Sequence, residues 1–162
     1  MRRLLQLFNL FPLGLRKRVI VAIALLRRAM TLGVRLVVRD EQGRVLLVRH
    51  TYVPGWHLPG GGVERGETFL QAAEKELLEE AGVVAEAPLR LFHIYRNLRT
   101  SRFDHVALYT CPRWRQEQPK KPDHEIAEHG FFSLDDLPRE TTLSTRDRLA
   151  ELFDDQSVSD IW

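Results

Sequence analysis

A single cysteine, Cys111, stands in the whole 162-residue chain. That scarcity excludes a disulfide framework and a cysteine-based zinc site, and it fits a reducing compartment. Uninterrupted apolar runs of membrane-spanning length are missing from the N-terminal region, where they would be expected. Leu4 to Leu15 and Val19 to Leu26 are separated by Arg16-Lys17-Arg18, whereas crossing a bilayer takes about 20 continuous apolar residues. The same interruption, with no small-residue cleavage site after it, argues against a secretory signal. Repeats and low-complexity tracts are absent. Hydrophobic residues at 44% and charged residues at 28% exclude a disordered, collagen-like or multi-span membrane protein. A chain of this length buries roughly 70% of its unfolded surface and needs neither metal nor disulfide to hold a core.

Acid is missing from residues 1–30, which carry Arg2, Arg3, Arg16, Lys17, Arg18, Arg27 and Arg28. The chain's net charge of +2, from 24 basic and 22 acidic side chains, therefore conceals a +7 arm joined to a −5 body. Residues 1–30 read as a basic, apolar arm and 31–162 as the folded domain. The arm has two readings, a helix lying on an anionic membrane surface or one packed on the body or on a second copy in a homodimer. Pro12 and Gly14 interrupt any single continuous helix. The expected localisation is cytoplasmic, at the inner face of a membrane if the first reading holds.

From Thr31 onward the pattern becomes β. Leu32 to Arg39 and Arg44 to Arg49 read as two strands about an Asp40–Gly43 turn, followed by a loop with Pro54-Gly55 and Pro59-Gly60-Gly61-Gly62. Thr68 to Ala81 predicts a helix. Thr68 and Gln71 make a capping box, Phe69, Ala73, Leu77 and Ala81 an apolar stripe, and Gly82 a stop. Strands are expected at Leu89–Arg96, Phe103–Cys111 and Ile126–Phe132. A turn follows at Asp135–Pro138, then a helix over Ser144–Phe153 capped by Ser144 and Asp147. Strands interleaved with two body helices predict a mixed sheet covered on both faces.

The acids of the first body helix are placed against its stability. Glu76, Glu79 and Glu80 stand at i, i+3 and i+4 on one face, where like charges repel. They also occupy the last turns, where the helix dipole disfavours carboxylates by roughly 0.3–1 kcal/mol each. Three such carboxylates beside a glycine-rich turn suit a hard divalent cation that shares its shell with phosphate oxygens. The plain alternative is a solvated acidic face.

The loop and helix together weigh against that alternative. Gly61, five residues, Glu67, seven residues, then Lys75-Glu76-Leu77-Leu78-Glu79-Glu80-Ala81-Gly82-Val83 closely resembles the Nudix box. Trp56 to Gly61 before it, and Phe131 to Pro138 near the end, also resemble the family, so the likeness spans most of 31–155 and excludes the arm. The resemblance implies an α/β (α+β) fold, the Nudix-type α/β/α sandwich with a mixed β-sheet. It implies a pyrophosphohydrolase that uses Mg²⁺ or Mn²⁺ and water to cleave a nucleoside diphosphate linked to another moiety. By matching position, Glu76, Glu79 and Glu80 would be metal ligands, one of them shared with base duty. The carbonyl of Gly60 or Gly61 would complete the shell, and Glu67 would support the loop and metal cluster. Lys75 stands where the family has arginine. It keeps the charge but loses the planar fork expected to orient the neighbouring carboxylates.

Glu125, with Glu128 as runner-up, matches the family's late acid, a further metal contact or general base. Arg96, Arg99 and Arg102, on a polar loop between strands, could grip phosphate oxygens. Tyr52 could stack on a base, while Trp56 is assigned to the core. His124 and His129 stand at i and i+5 rather than the i, i+4 of a zinc helix. No nucleic-acid motif appears and the body is acidic, so the expected partner is a nucleotide-derived small molecule rather than nucleic acid. A second reading, favoured only by Lys75, is a non-catalytic Nudix-fold nucleotide-binding or interaction module, membrane-associated through the arm.

Overall fold

The computed structural model describes residues 30–99, 103–116, 118 and 120–162. The chain divides into two units, Met1–Met30 and Thr31–Trp162, and the candidate site lies wholly in the second. The expectations for residues 1–29 and for Arg102 fall outside the described residues. Among the described residues no helix is long and apolar enough to cross a membrane.

The strands are β1 (Thr31–Val38), β2 (Val45–His50), β3 (Val83–Ala85), β4 (Arg90–Asn97), β5 (Asp104–Cys111), β6 (Trp114–Gln116) and β7 (Ile126–Phe132). The helices are α1 (Phe69–Ala81), a 3₁₀ turn at Leu134–Asp136 and α2 (Leu143–Phe153). β5 lies between β1, to which it runs parallel, and β4, to which it is antiparallel. β2 pairs with β7 and β3 with β6, both antiparallel. The mixed α+β architecture is the one expected.

Alternation along the strands sorts side chains into two cores. Val34, Leu36 and Val38 of β1, with Ala107, Tyr109 and Cys111 of β5, pack with Ala72, Ala73, Leu77 and Ala81 of α1. Val37, Leu108, Val45 and Leu47 turn the other way and meet Leu58, Tyr95 and Leu149 of α2. Each of these large side chains, once buried, contributes about 1.5–3 kcal/mol, which outweighs the repulsion among the acids of α1.

Three details differ from expectation. The α2 cap is Thr142, whose hydroxyl accepts from Thr145 N–H; Ser144 instead lies inside the helix and is buried. The fourth strand runs one residue further than expected, through Asn97, so Arg96 belongs to β4, as the Leu89–Arg96 strand already had it, and not to the loop. Strands β3 and β6 were not anticipated, since three residues are too short to show a period.

Two segments set the site. Residues 59–63 run antiparallel along the free edge of β1, with Val34 N–H bonded to Gly61 O, Leu36 N–H to Pro59 O and Val63 N–H to Leu32 O. Just before them, His57 exchanges both backbone hydrogen bonds with Val48 of β2. The glycine loop is thereby stitched to both β1 and β2.

Candidate active site

Helix α1 begins at a complete capping box, Thr68 Oγ1 accepting Gln71 N–H and Gln71 Oε1 accepting Thr68 N–H, and it ends at left-handed Gly82. These two stops fix the rotation of the helix about its apolar stripe, and with it the three glutamates. Glu80 is buried at 3% exposure, Glu76 is half-buried and Glu79 faces solvent. The three therefore descend from solvent into the protein beside the glycine loop.

Gly60 and Gly61 are required by close approach. Gly60 has φ 138°, and a Cβ there would lie 2.1 Å from Val34 O. At Gly61 a Cβ would come within 2.4 Å of Glu76 Oε1. The loop backbone is pressed between β1 on one side and the Glu76 carboxylate on the other. Gly60 N–H donates to Glu80 Oε2 at 2.7 Å, while Glu80 Oε1 lies 3.5 Å from His50 Nε2.

Burial dominates the electrostatics. It pushes the Glu80 carboxyl up to about 8, against the lowering pull of Arg35 and the Gly60 N–H, with Glu76 and Glu125 adding repulsion. Glu76 is also raised, chiefly by burial, which outweighs the lowering pull of Lys75 and Arg35, with the Glu79 and Glu125 charges adding repulsion. His50 is pushed down to about 4 by burial and by the Arg35 and His57 charges, so the imidazole facing Glu80 is neutral.

Lys75 turns away from these acids. Its Nζ donates to Glu67 Oε1 at 2.9 Å and lies 3.5 Å from Glu64 Oε1, while Glu67 Oε2 accepts Glu64 N–H at 3.0 Å. The Glu64 N–H bond and then Lys75 hold Glu67 below the usual carboxylate range. With both oxygens engaged, Glu67 clasps the loop entering α1; Lys75 bonds to that clasp and acts on Glu76 only through space.

Glu125 comes to the site from the turn that precedes β7. Asp123 Oδ1 accepts the N–H groups of both Glu125 and Ile126 at 2.8 Å, and Thr51 N–H donates to Glu125 O at 2.9 Å. This turn, tied to the end of β2, brings Glu125 within electrostatic reach of Glu76 and Glu80. Tyr52, 65% exposed, places its hydroxyl 3.4 Å from Glu125 Oε1. Beside it opens a cleft of about 590 Å³ lined by Arg49 to Gly55 and Glu140. Trp56 packs edge-to-face on Phe132. Glu128 pairs instead with Arg49 at 2.8 Å.

Of the arginines proposed for phosphate, Arg96 and Arg99 do not line that cleft. Arg96 is exposed on β4, its backbone N–H bonded to Asp160 O, and Arg99 is exposed in the following turn, its N–H held by Asn97 Oδ1. Two residues in the site were missed. Arg35 of β1 and His50 of β2 stand among the acids, and the available signal was a polar residue inside each apolar strand run, Val34-Arg35-Leu36 and Val45 to His50.

Among the described residues no three His, Cys, Asp or Glu side chains form a ready-made metal cage. The fit to a divalent cation rests on donor chemistry. Glu76, Glu79 and Glu80 offer hard carboxylate oxygens that repel one another, and a cation would relieve that repulsion. Gly61 O already accepts from Val34 N–H, which leaves Gly60 O as the better carbonyl candidate of the two.

The family model described as the NUDIX domain matches residues 29–153. A putative 8-oxo-dGTP diphosphatase of Bacillus subtilis is 46% identical over 88 residues, covering 54% of this chain and 49% of that protein. This chain thus aligns with about half the length of that relative. An RNA pyrophosphohydrolase of Ruthia magnifica is 27% identical over 130 residues, covering 80% of this chain and 68% of that protein. A solved MutT NUDIX hydrolase from Burkholderia pseudomallei superposes with a TM-score of 0.65 at 26% identity, over 75% of this chain and 97% of that one.

Proposed function

The chain belongs to the Nudix family, and from that premise we propose that it is a metal-dependent pyrophosphohydrolase. Its substrate would be a nucleoside diphosphate linked to a further group, cleaved by attack of water on phosphorus. The observation that carries this is the set of Glu79, Glu76 and Glu80, graded from exposed through half-buried to buried, against the Gly60–Gly61 backbone. Carboxylates so crowded, on the wrong end of a helix dipole, weaken a protein that has no cation to bind. The names of the relatives, an 8-oxo-dGTP diphosphatase and an RNA pyrophosphohydrolase, point to nucleoside phosphoanhydrides as the class to assay first.

A divalent ion bound there, Mg²⁺ or Mn²⁺, would neutralise phosphate charge and activate water. Glu76, Glu79 and Glu80 would hold it, with Gly60 O as the carbonyl contact. Glu125, exposed and within electrostatic reach of Glu76 and Glu80, would accept a proton from the attacking water. Glu80, held by Gly60 N–H, keeps the glycine loop registered on α1. Glu67 and Lys75 clamp the helix entrance, and Tyr52 borders the cleft that would receive the nucleoside.

The test is a panel of oxidised and ordinary nucleoside triphosphates, nucleotide sugars, dinucleotides and a 5′-triphosphorylated oligonucleotide, assayed with Mg²⁺ and Mn²⁺ and with products identified. Glu79→Ala and Glu80→Ala should each abolish the activity found. Full activity in both variants would remove these residues from the site.

A further inference from the structure

Arg35 is a cation with no ion-pair partner among the described residues, placed where the glycine loop, β1 and the acids meet. Its Cα would lie 2.9 Å from a Cβ at position 60, so strand and loop are in contact there. Its Nη1 donates to Leu58 O at 2.8 Å, which anchors one corner of the guanidinium to the loop. A guanidinium carries five N–H groups, and this is the one hydrogen bond it forms among the described residues.

The acids around Arg35 are committed elsewhere. Glu80 accepts Gly60 N–H and faces His50. Asp104 accepts from Thr31 Oγ1 at 2.7 Å and from Asn97 Nδ2 at 2.8 Å. Glu76 lies against Gly61. They act on Arg35 through space, as do Tyr52 and the histidines His50 and His57. Half-burying a guanidinium without a direct anionic partner is costly, and an apolar residue would suit a strand position flanked by Val34, Leu36 and Val37 at 0–3% exposure. The remaining N–H fork suits a phosphate group.

We propose that Arg35 is the phosphate-binding arginine of this site, receiving the anionic chain of the substrate. This rests on the proposed function and adds to it the residue that orients the phosphates. It also replaces Arg96 and Arg99, which project from β4 and the turn after it, as the principal phosphate contact.

The test uses the full chain with excess Mg²⁺ and methylenediphosphonate, a diphosphate mimic that cannot be hydrolysed, with affinity read by calorimetry. Arg35→Gln should bind the probe about ten- to a hundredfold more weakly, the range expected for losing a charge-assisted, forked contact. Arg35→Lys, which keeps charge and guards against a folding defect, should weaken it by at least about threefold, because an ammonium lacks the fork. Thermal melting identifies which variants fold, and an affinity within twofold of the parent in a folded variant overturns the proposal. The readout is independent of turnover. Probe binding that depends on Arg35, without hydrolysis of any substrate, would overturn the proposed function alone. Hydrolysis with probe binding indifferent to Arg35 would overturn this inference alone.

Discussion

Replacing Glu80 with glutamine should make the metal-free protein more stable while destroying activity, and the gain should grow with pH. Glu80 is 3% exposed, and burial raises its carboxyl from an ordinary 4.5 to about 8. Between those two values the unfolded chain has released a proton that the native protein still holds. Raising the pH through that window therefore favours unfolding. The stability linked to the neutral acid is fully present below about 4.5, declines up to about 8 and is flat beyond. Each pH unit inside the window corresponds to about 1.4 kcal/mol. Glutamine is nearly isosteric, never ionises, and keeps an oxygen to accept the Gly60 N–H. Relative to the parent, Glu80→Gln should gain about 1 kcal/mol at pH 5, about 3 kcal/mol at pH 7 and on the order of 5 kcal/mol at pH 9. Urea unfolding in EDTA at the three pH values reads this directly. A difference that is zero, or constant with pH, would refute the account of Glu80 as a buried, destabilising carboxyl. In excess Mn²⁺ the order should reverse, because a ligand of the native state stabilises only the protein that binds it.

Other substitutions separate the scaffold from the chemistry. Gly60→Ala places a Cβ into Val34 O at a φ that L-residues avoid, and should cost at least about 3 kcal/mol in urea unfolding. Gly61→Ala meets the flexible Glu76 carboxylate instead of backbone, so it should spare stability, by the same measurement, and reduce kcat at least tenfold by displacing Glu76. Lys75→Arg supplies a fork able to span Glu67 and Glu64, and should raise turnover while leaving Mg²⁺ affinity, followed by calorimetry, nearly unchanged. Glu151 accepts from Tyr95 Oη at 2.7 Å and from buried Arg148 at 2.6 Å. Glu151→Ala should therefore destabilise the fold by about 3–5 kcal/mol in urea without altering KM in the folded protein.

Much of this molecule is written locally. The capping box, the stripe Phe69-Ala73-Leu77-Ala81 and the stop at Gly82 define α1 to within a residue, because each acts over at most four positions. The apolar alternation of β1, β2 and β5 is similarly visible, since one residue in two must face each core. The α2 cap was misplaced by two residues because Thr142, Ser144 and Asp147 all carry side-chain acceptors. What decides among them is the set of apolar positions that α2 buries, Leu149 above all. β3 and β6 exist through their pairing with each other, which no three-residue window reveals.

The family, the order of the long elements and the three glutamates are legible in the chain alone, because the box is contiguous and its glutamates fall at a helical repeat. Tertiary structure alone decided how those acids differ. One rotation of α1 against the sheet buries Glu80, half-buries Glu76 and leaves Glu79 in water, and burial is what chiefly raises the Glu80 and Glu76 carboxyls. Distance in the chain likewise concealed Arg35 and His50, which β1 and β2 carry to the acids; Glu125 was legible through the resemblance, and the turn at Asp123 brings it within electrostatic reach of Glu76 and Glu80. Charge count shows how many acids a chain has, but desolvation and proximity, which arise only when strands and helix pack, determine what each acid can do.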